Sequence, residues 1–227
     1  MLPAGPRRAA PVGSFPATKN NGQQRRIEHT TKWSHPMAEV LLFHHAQGLT
    51  TGVRDFARAL EAAGHVVHLP DLYDGNVFGT LDEGMVYARG VGFDVLLEKG
   101  RLEADGLPDA LAYVGFSLGV MPAQLLAQTR PGATAAIFLH GCLPVAEFGD
   151  AWPDGVPVQI HGMDADEWFV DGGDLEAAEE ILLSASDAEL FLYPGSDHLF
   201  TDNSLPAFDA DASALALERV LGLLGRV

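Results

Sequence analysis

The segment YVGFSLGV, residues 113–120, contains a serine that could act as a nucleophile. Ser117 lies two positions from a glycine on each side, Gly115 and Gly119, between an apolar run and a helix-compatible run. A G-x-S-x-G turn from strand to helix holds its serine at the tip, and the glycines avoid clashes across the turn. The amide of Leu118 would then lie at a helix N-terminus and could face a developing oxyanion. A tight strand–helix turn with a serine N-cap explains the same five residues, so the chemistry depends on further groups.

Those further groups are a histidine that takes the serine proton and a carboxylate that orients the histidine. His198 follows the apolar run AELFLYPG and is the candidate base among nine histidines. The loop after the run VPVQIHG supplies the candidate acids, Asp164, Asp166, Asp171 and Asp174. The chain order serine, aspartate, histidine at three predicted strand ends is far more specific than the turn alone. Spacing alone does not decide which aspartate faces His198, and a solvated acidic loop and a surface histidine are the alternatives.

The elements that must position these residues alternate along the chain from Met37 onward. Apolar runs predict strands within residues 40–45, 65–73, 110–117, 134–141, 156–162 and 188–195. Amphipathic stretches predict helices at residues 51–63, 80–99, 117–129, 174–183 and 207–224. Repeated strand–helix units predict an α/β fold, a parallel sheet covered by helices on both faces. Ligands bind such sheets beyond the carboxyl ends of the strands, where the candidate residues are expected.

Composition and charge narrow the classes of function. The chain is 47% hydrophobic and 20% charged, without an apolar run of 18 residues, which is typical of a soluble globular protein. Its formal net charge of -17 argues against nucleic acid or an anionic membrane as a partner. The single cysteine, Cys142, excludes an intramolecular disulfide framework and fits a reducing compartment, so we expect a cytoplasmic protein. The composition leaves the oligomeric state open.

Residues 1–36 differ from the rest of the chain in kind. They contain five prolines, many polar residues and an excess of basic ones, with no periodic apolar pattern. We expect a disordered N-terminal extension, followed by one folded domain over residues 37–227. Translation starting at Met37 would explain the same boundary, and a transit peptide is the weaker alternative.

Histidine pairs raise the question of a metal site. His44 and His45 are adjacent, and His65 and His68 are three positions apart on a predicted strand. Side chains at both spacings point to opposite faces of a strand. No carboxylate or cysteine cluster completes a site, so we expect neither a metal nor another cofactor.

Three segments resemble motifs of the dienelactone hydrolase family of α/β-hydrolases: PDLYDG (70–75), GFSLG (115–119) and GSDHLF (195–200). The resemblance spans roughly residues 38–225 and implies the α/β-hydrolase fold and hydrolysis of an ester bond. It implies Ser117 as the nucleophile and His198 as the base. The family's acid lies five positions after a histidine, which implies Asp166, five positions after His161. The loop HHAQG (44–48) matches the family's oxyanion loop, which implies the Ala46 amide as a second donor beside Leu118.

Three departures from the family pattern bear on the substrate. The type enzymes have a cysteine nucleophile where this chain has Ser117, and a glutamate that interacts with the thiol where it has His45. An arginine that binds a substrate carboxylate is replaced by Thr201 and Asp202, which predicts a negative mouth. We therefore expect a serine hydrolase acting on a small-molecule carboxylic ester or related acyl bond. A thioesterase or lactonase, including a dienelactone hydrolase, is the enzymatic alternative, and a non-catalytic binding protein of the same fold is the other.

Several large side chains near the motifs could line an apolar substrate pocket. The candidates, beside Leu118, are His45, Phe78, Phe116, Trp168 and Phe200. For the aromatic candidates, ordinary core packing is the alternative.

Overall fold

Six strands form one parallel sheet at the centre of residues 37–227, the part of the chain that this computed structural model describes. They are β1 (Glu39–Phe43), β2 (Val66–His68), β3 (Leu111–Phe116), β4 (Ala133–Leu139), β5 (Val158–Met163) and β6 (Ala188–Tyr193). The order across the sheet is β2-β1-β3-β4-β5-β6. The order reverses between β1 and β3, and such a switch point opens a crevice at the carboxyl ends of the strands.

Seven α-helices within these residues cover both faces of the sheet. They are α1 (Thr51–Ala62), α2 (Leu81–Val91), α3 (Phe93–Leu102), α4 (Val120–Thr129), α5 (Glu167–Val170), α6 (Asp174–Ser184) and α7 (Ala210–Leu224). Buried side chains of α1 and α7 form one core cluster with the sheet, and those of α2 to α6 form the other. The predicted fold class, an α/β-hydrolase fold with a parallel sheet between two helical layers, is confirmed.

The two cores explain why the strand sequences are continuously apolar. In β1, Leu41 and Phe43 face one cluster, whereas Val40 and Leu42 face the other. Alternate residues of a strand point to opposite faces, so a strand covered on both sides needs apolar side chains at every position. All six residues of β3 are buried for the same reason, and the strand is a rigid support for the turn that follows it.

The element boundaries differ from the predicted ones in a few places. The predicted helix at residues 80–99 is two helices, α2 and α3, which meet at Gly92 with a φ of 101°. That backbone conformation is one that glycine adopts without strain, and it turns the chain between the helices. The last helix begins at Ala210 rather than at residue 207, because the side chain of Asp209 caps it. The short helix α5 was not predicted.

The extension predicted for residues 1–36 lies outside the described residues. Within residues 37–227, none of the helices combines the length and apolar character needed to span a bilayer.

Candidate active site

The turn after β3 holds Ser117 in a conformation that few non-glycine residues adopt. Its φ is 48°, in the left-handed region. A Cβ at Gly115 would lie 2.5 Å from the carbonyl oxygen of Gly119, and a Cβ at Gly119 would lie 2.5 Å from that of Phe43. Both collisions are with backbone, which cannot move aside. The two glycines are therefore required for the close approach of β3, α4 and the end of β1 that places the serine at the tip.

Three side chains from three strand ends form a continuous hydrogen-bonded chain. Ser117 Oγ lies 2.8 Å from His198 Nε2, and His198 Nδ1 lies 2.7 Å from Asp166 Oδ2. The hydrogen-bond network assigns the proton of the imidazole to Nδ1, which donates to the carboxylate, and leaves Nε2 to accept from the serine hydroxyl. The side chain of Asp166 is 1% exposed and that of His198 is 10% exposed. This arrangement can deprotonate the serine as it attacks an electrophile.

Asp166 has a second task that fixes the direction of its carboxylate. It is the N-cap of α5, and its Oδ1 accepts a hydrogen bond of 3.0 Å from the Trp168 amide. With one oxygen held by the backbone, the other points at His198. This cap is the reason why a four-residue helix directly after β5 matters for the site.

The other aspartates of this region have different partners. Asp164 is exposed and accepts a hydrogen bond of 3.0 Å from the Gly195 amide, and Asp171 is exposed at the end of α5. Asp174, at the start of α6, accepts a hydrogen bond of 3.0 Å from the Cys142 amide. Burial raises the pKa of Asp174 to about 6, and the nearby Asp166 carboxylate adds to this effect. The structure thus brings Asp166, rather than Asp164 or Asp171, to His198.

The two predicted oxyanion donors lie on loops that pack against each other. The Leu118 amide is in the first turn after β3, where backbone N–H groups have no partner within the helix. The Ala46 amide is in the turn after β1. A Cβ at Gly119 would lie 2.7 Å from the carbonyl oxygen of His44, so the two loops are in direct contact. Two N–H groups at such a junction can stabilise a negative oxygen that forms above Ser117.

The predicted apolar pocket needs correction at three positions. His45, Phe116 and Phe200 are at most 1% exposed, so they do not line an open pocket. Phe116 packs against Phe56 of α1 in the core, because the end of β3 is covered on both faces. Phe200 packs against the rings of His140 and Tyr193 below the histidine loop.

The two remaining aromatic candidates lie nearer to solvent. Trp168 is 43% exposed, and the centroid of its ring is 5.8 Å from that of His198. Phe78 is partly buried and packs against Tyr73 and Tyr87, with ring centroids 6.1 Å and 4.9 Å apart. Trp168 therefore lies beside His198 with part of its ring exposed, whereas Phe78 belongs to an aromatic cluster between the PDLYDG segment and α2.

The negative mouth predicted at Thr201 and Asp202 is also wrong. Both side chains are buried, with Thr201 bonded to His140 and Asp202 to His45. Burial alone would raise the pKa of Asp202, but hydrogen bonds from His45, Ser204 and Thr50 outweigh it and lower the pKa to about 2. The sequence offered no signal for this pairing, because Asp202 and His45 are distant along the chain.

Two clefts lie near the three hydrogen-bonded side chains. A cleft of about 330 Å³ includes among its lining residues His198 and Asp197, Gln47 of the loop after β1, and Thr80 and Leu81 at the start of α2. A larger cleft of about 610 Å³ includes Cys142, Leu143, Asp174, Glu176 and Glu180 among its lining residues. It lies close to Ser117, since a Cβ at Gly141, next to Cys142, would lie 3.3 Å from the Ser117 carbonyl oxygen and 3.4 Å from Asp174 Oδ2. The negative charge near the site therefore comes from α6 and from the exposed Asp197, which lines the smaller cleft, rather than from Asp202.

The histidine pairs singled out in the sequence are engaged in hydrogen bonds rather than grouped around a common point. His65 accepts a hydrogen bond from the Ala38 amide, and His68 pairs with Glu39. His44 and His45 bond to the backbone and to Asp202. Among residues 37–227, no three histidine, cysteine, aspartate or glutamate side chains come together in a way that could hold a metal ion.

Solved structures with the same fold include hydrolases. A protein named as a dienelactone hydrolase from Klebsiella pneumoniae is 20% identical, with a TM-score of 0.64 over 86% of this chain and 89% of that one. A dienelactone hydrolase-like promiscuous phosphotriesterase from metagenomic libraries is 22% identical, with a TM-score of 0.64 over 84% and 87%. A thermophilic esterase from Thermogutta terrifontis, solved with butyrate bound, is 17% identical, with a TM-score of 0.60 over 86% and 85%. At these identities the likeness establishes the fold alone.

The sequence itself matches the profile of one family. That profile, the dienelactone hydrolase family, matches residues 27–227. No curated protein matches the sequence significantly. Because the family match extends over most of the chain and includes all six strands, this protein belongs to the dienelactone hydrolase family and is a hydrolase that acts on ester bonds.

Proposed function

We propose that this protein is a serine hydrolase that cleaves a small-molecule carboxylic ester or related acyl bond, with Ser117, His198 and Asp166 as its catalytic triad. The observation that carries the proposal is the unbroken chain of hydrogen bonds of 2.8 Å and 2.7 Å from the serine to the buried carboxylate. The left-handed backbone at Ser117 adds support, because strained residues concentrate at functional sites.

In the first half of the reaction, Ser117 Oγ attacks the carbonyl carbon of the substrate while its proton passes to His198 Nε2. The carbonyl π electrons move to oxygen, and the Leu118 and Ala46 amides stabilise the resulting oxyanion. Asp166 stabilises the imidazolium and keeps the ring oriented. When the tetrahedral intermediate collapses, the alcohol oxygen leaves and takes the proton from His198, which leaves an acyl ester on Ser117.

In the second half, water repeats these steps from the other side. His198 takes a proton from the water as its oxygen attacks the acyl carbon. Collapse of the second intermediate returns the proton to Ser117 Oγ and releases the carboxylic acid. Thioesters and lactones react through the same acyl-enzyme, so they belong in the same assays.

The charges around the larger cleft support an uncharged substrate over an anionic one. Asp174, Glu176 and Glu180 line it, together with Cys142, whose neighbour Gly141 packs against the Ser117 backbone. A substrate carboxylate placed there would be repelled by these side chains. This favours neutral esters over dienelactone, whose carboxylate the type enzymes bind with arginines.

The test combines active-site labelling with turnover. We expect a fluorophosphonate probe to label the wild type with one equivalent and to leave Ser117→Ala unlabelled. Hydrolysis of p-nitrophenyl acetate, butyrate and octanoate should disappear in Ser117→Ala. Retention of near wild-type hydrolysis would refute the serine mechanism, and absence of both labelling and turnover in the wild type would indicate a non-catalytic binding protein.

Cys142→Ser is the matched control. Its thiol is buried beside Asp174, and burial raises the thiol pKa above its ordinary value, so it carries little thiolate at neutral pH. We expect the variant to label and turn over like the wild type. A loss equal to that of Ser117→Ala would point to a thiol enzyme instead.

A further inference from the structure

We propose that two adjacent buried histidines, His44 and His45, together with Asp202, are positioning residues that orient the Ala46 amide toward the oxyanion. This role depends on the proposed function, in which Ala46 N–H is one of the two oxyanion donors. The adjacent histidines gave no metal site, and neither belongs to the triad.

The direction of the Ala46 N–H follows from the carbonyl group on the same peptide bond. His45 C=O and Ala46 N–H share one planar trans unit, so the N–H points opposite to the C=O. The His45 carbonyl oxygen accepts two hydrogen bonds, of 2.8 Å from His44 Nδ1 and of 3.0 Å from the Gly48 amide. Since two donors hold the oxygen, the peptide cannot rotate freely, and the opposite N–H keeps its direction.

His44 is itself locked in the tautomer that this task needs. Its Nε2 accepts a hydrogen bond of 3.0 Å from the Leu72 amide, so the proton is on Nδ1, where it can be donated to the His45 carbonyl. The residue has no exposed surface, and burial lowers its pKa to about 4, which keeps it neutral at physiological pH. Leu72 of the PDLYDG segment therefore fixes the tautomer of His44, and His44 in turn holds the His45 carbonyl of the oxyanion loop.

The His45 side chain ties the same loop to the catalytic histidine loop. Its Nδ1 accepts from the Gln47 amide at 3.2 Å, which leaves Nε2–H to donate to Asp202 Oδ2 at 2.8 Å. Asp202 is four positions after His198, and its carboxylate also accepts hydrogen bonds from Thr50 Oγ1 and the Ser204 amide. One buried carboxylate therefore joins the oxyanion loop, the start of α1 and the loop that carries the base.

This geometry predicts which kinetic constant depends on the histidines. An oxyanion contact strengthens as charge develops on the carbonyl oxygen, so a misdirected amide raises the barrier more than it weakens substrate binding. Removal of an oxyanion donor costs about 10²–10³-fold in kcat, and a displacement of about 1 Å can cost about 10²-fold. We therefore expect losses up to about 10²-fold in kcat at nearly constant KM.

A matched pair of variants at His44 isolates the donor that holds the carbonyl. In His44→Asn, the side-chain NH₂ can take the place of Nδ1–H, whereas in His44→Leu a methyl group of the same size stands there. Both variants lose the acceptor for the Leu72 amide, so this loss cancels in the comparison. The assay measures kcat and KM with p-nitrophenyl butyrate and inhibition by a trifluoromethyl ketone, which forms a tetrahedral adduct with Ser117.

We expect His44→Leu to lose about 10²-fold in kcat, with KM within about twofold and inhibition by the ketone weakened in parallel, and His44→Asn to recover most of that loss. Equal kcat values in the two variants would overturn the proposal. If His44→Leu does not fold, His45→Asn decides, because its Oδ1 can still accept from the Gln47 amide while the bond to Asp202 is lost. Wild-type kcat in His45→Asn would then overturn the proposal.

His68→Leu is the control for loss of a histidine hydrogen bond elsewhere. His68 bonds Glu39 at 2.7 Å on the outer part of the sheet, and we expect unchanged kcat and inhibition. An equal loss in this control would show that the effect is general destabilisation and would overturn the proposal. Ser117→Ala distinguishes failure of the proposed function from failure of the positioning role. If Ser117→Ala stays active, the proposed function is wrong. If Ser117→Ala is inactive but His44→Leu retains wild-type kcat, only the positioning role is wrong.

Discussion

Replacement of Asp166 by asparagine tests the assignment of the acid, because the side chain must serve two hydrogen-bond donors at once. Its Oδ2 accepts from His198 Nδ1 at 2.7 Å, and its Oδ1 accepts from the Trp168 amide at 3.0 Å. A carboxylate accepts both bonds, whereas an asparagine amide has one oxygen and one NH₂ group. Asp166→Asn therefore preserves the shape of the site but forces a choice between the two partners.

The choice favours an inactive histidine tautomer. The Trp168 amide cannot change its role as a donor, and leaving it without its cap costs about 0.5–2 kcal/mol. His198 can adapt by moving its proton to Nε2, so the asparagine oxygen faces Trp168 and the NH₂ group faces His198 Nδ1. An imidazole protonated at Nε2 cannot take the proton of Ser117. The equivalent change in serine proteases lowers kcat by about 10⁴-fold, or about 5.5 kcal/mol of transition-state stabilisation.

The assay compares kcat for Asp166→Asn, Asp164→Asn and Asp171→Asn on one p-nitrophenyl ester. Asp164 and Asp171 are exposed, and an asparagine oxygen can still accept the Gly195 amide that Asp164 binds. We expect a loss of about 10⁴-fold for Asp166→Asn and near wild-type values for the other two. If Asp164→Asn or Asp171→Asn shows the large loss while Asp166→Asn does not, the acid has been assigned to the wrong residue.

Two further predictions concern stability. Gly119→Ala should lower stability and abolish activity, because the added Cβ would collide with the backbone of β1. Gly222→Ala in α7, where nothing lies within 4 Å of the added Cβ, should stabilise the fold by about 0.5–1 kcal/mol. Thermal unfolding compares the two variants, and equal effects on stability would contradict the packing argument. Asp174→Asn should stabilise the protein at pH 8 by about 1–2 kcal/mol. A rise of about two units in the pKa of Asp174 corresponds to about 3 kcal/mol of free energy, and partial exposure of the side chain reduces this value. Since the raised pKa of Asp174 penalises only its charged form, this gain should fall as the pH drops below about 6 and vanish below the ordinary pKa of 3.8, and a gain independent of pH would refute it.

Local sequence was sufficient to predict the scaffold and the candidate nucleophile. The apolar runs identified the six strands, because a strand buried on both faces needs apolar residues at every position. Ser117 could be identified because the turn requires glycine at positions 115 and 119, where a Cβ would collide with the backbone of the turn or of the adjacent strand. The position of His198 followed from chain order and strand ends. These features depend on residues close in sequence or on the general rule that ligand sites lie at the carboxyl ends of parallel strands.

The choice of acid needed more than composition and spacing. Four aspartates follow β5 within a short stretch, and the resemblance to a family singled out Asp166. The structure gives a physical reason, since Asp166 alone caps α5, and that cap directs its second oxygen to His198. A four-residue helix has too weak a pattern for its N-cap to be predicted from sequence.

Which side chains are buried, and what they are buried against, was decided by tertiary structure. Phe116 and Phe200 are apolar aromatic residues of the kind that line substrate pockets, but helices and loops distant in sequence cover them. Aspartates usually lie at the protein surface, yet the Asp202 carboxylate is buried and accepts hydrogen bonds from Thr50, Ser204 and His45. A buried carboxylate is tolerated only when hydrogen-bond donors replace water, and those donors come from segments that meet only after the sheet has formed. The sequence by itself therefore determined the strands and the serine turn. The long-range packing of the loops at the carboxyl edge of the sheet decided which charged and aromatic side chains are buried and which line the clefts near Ser117.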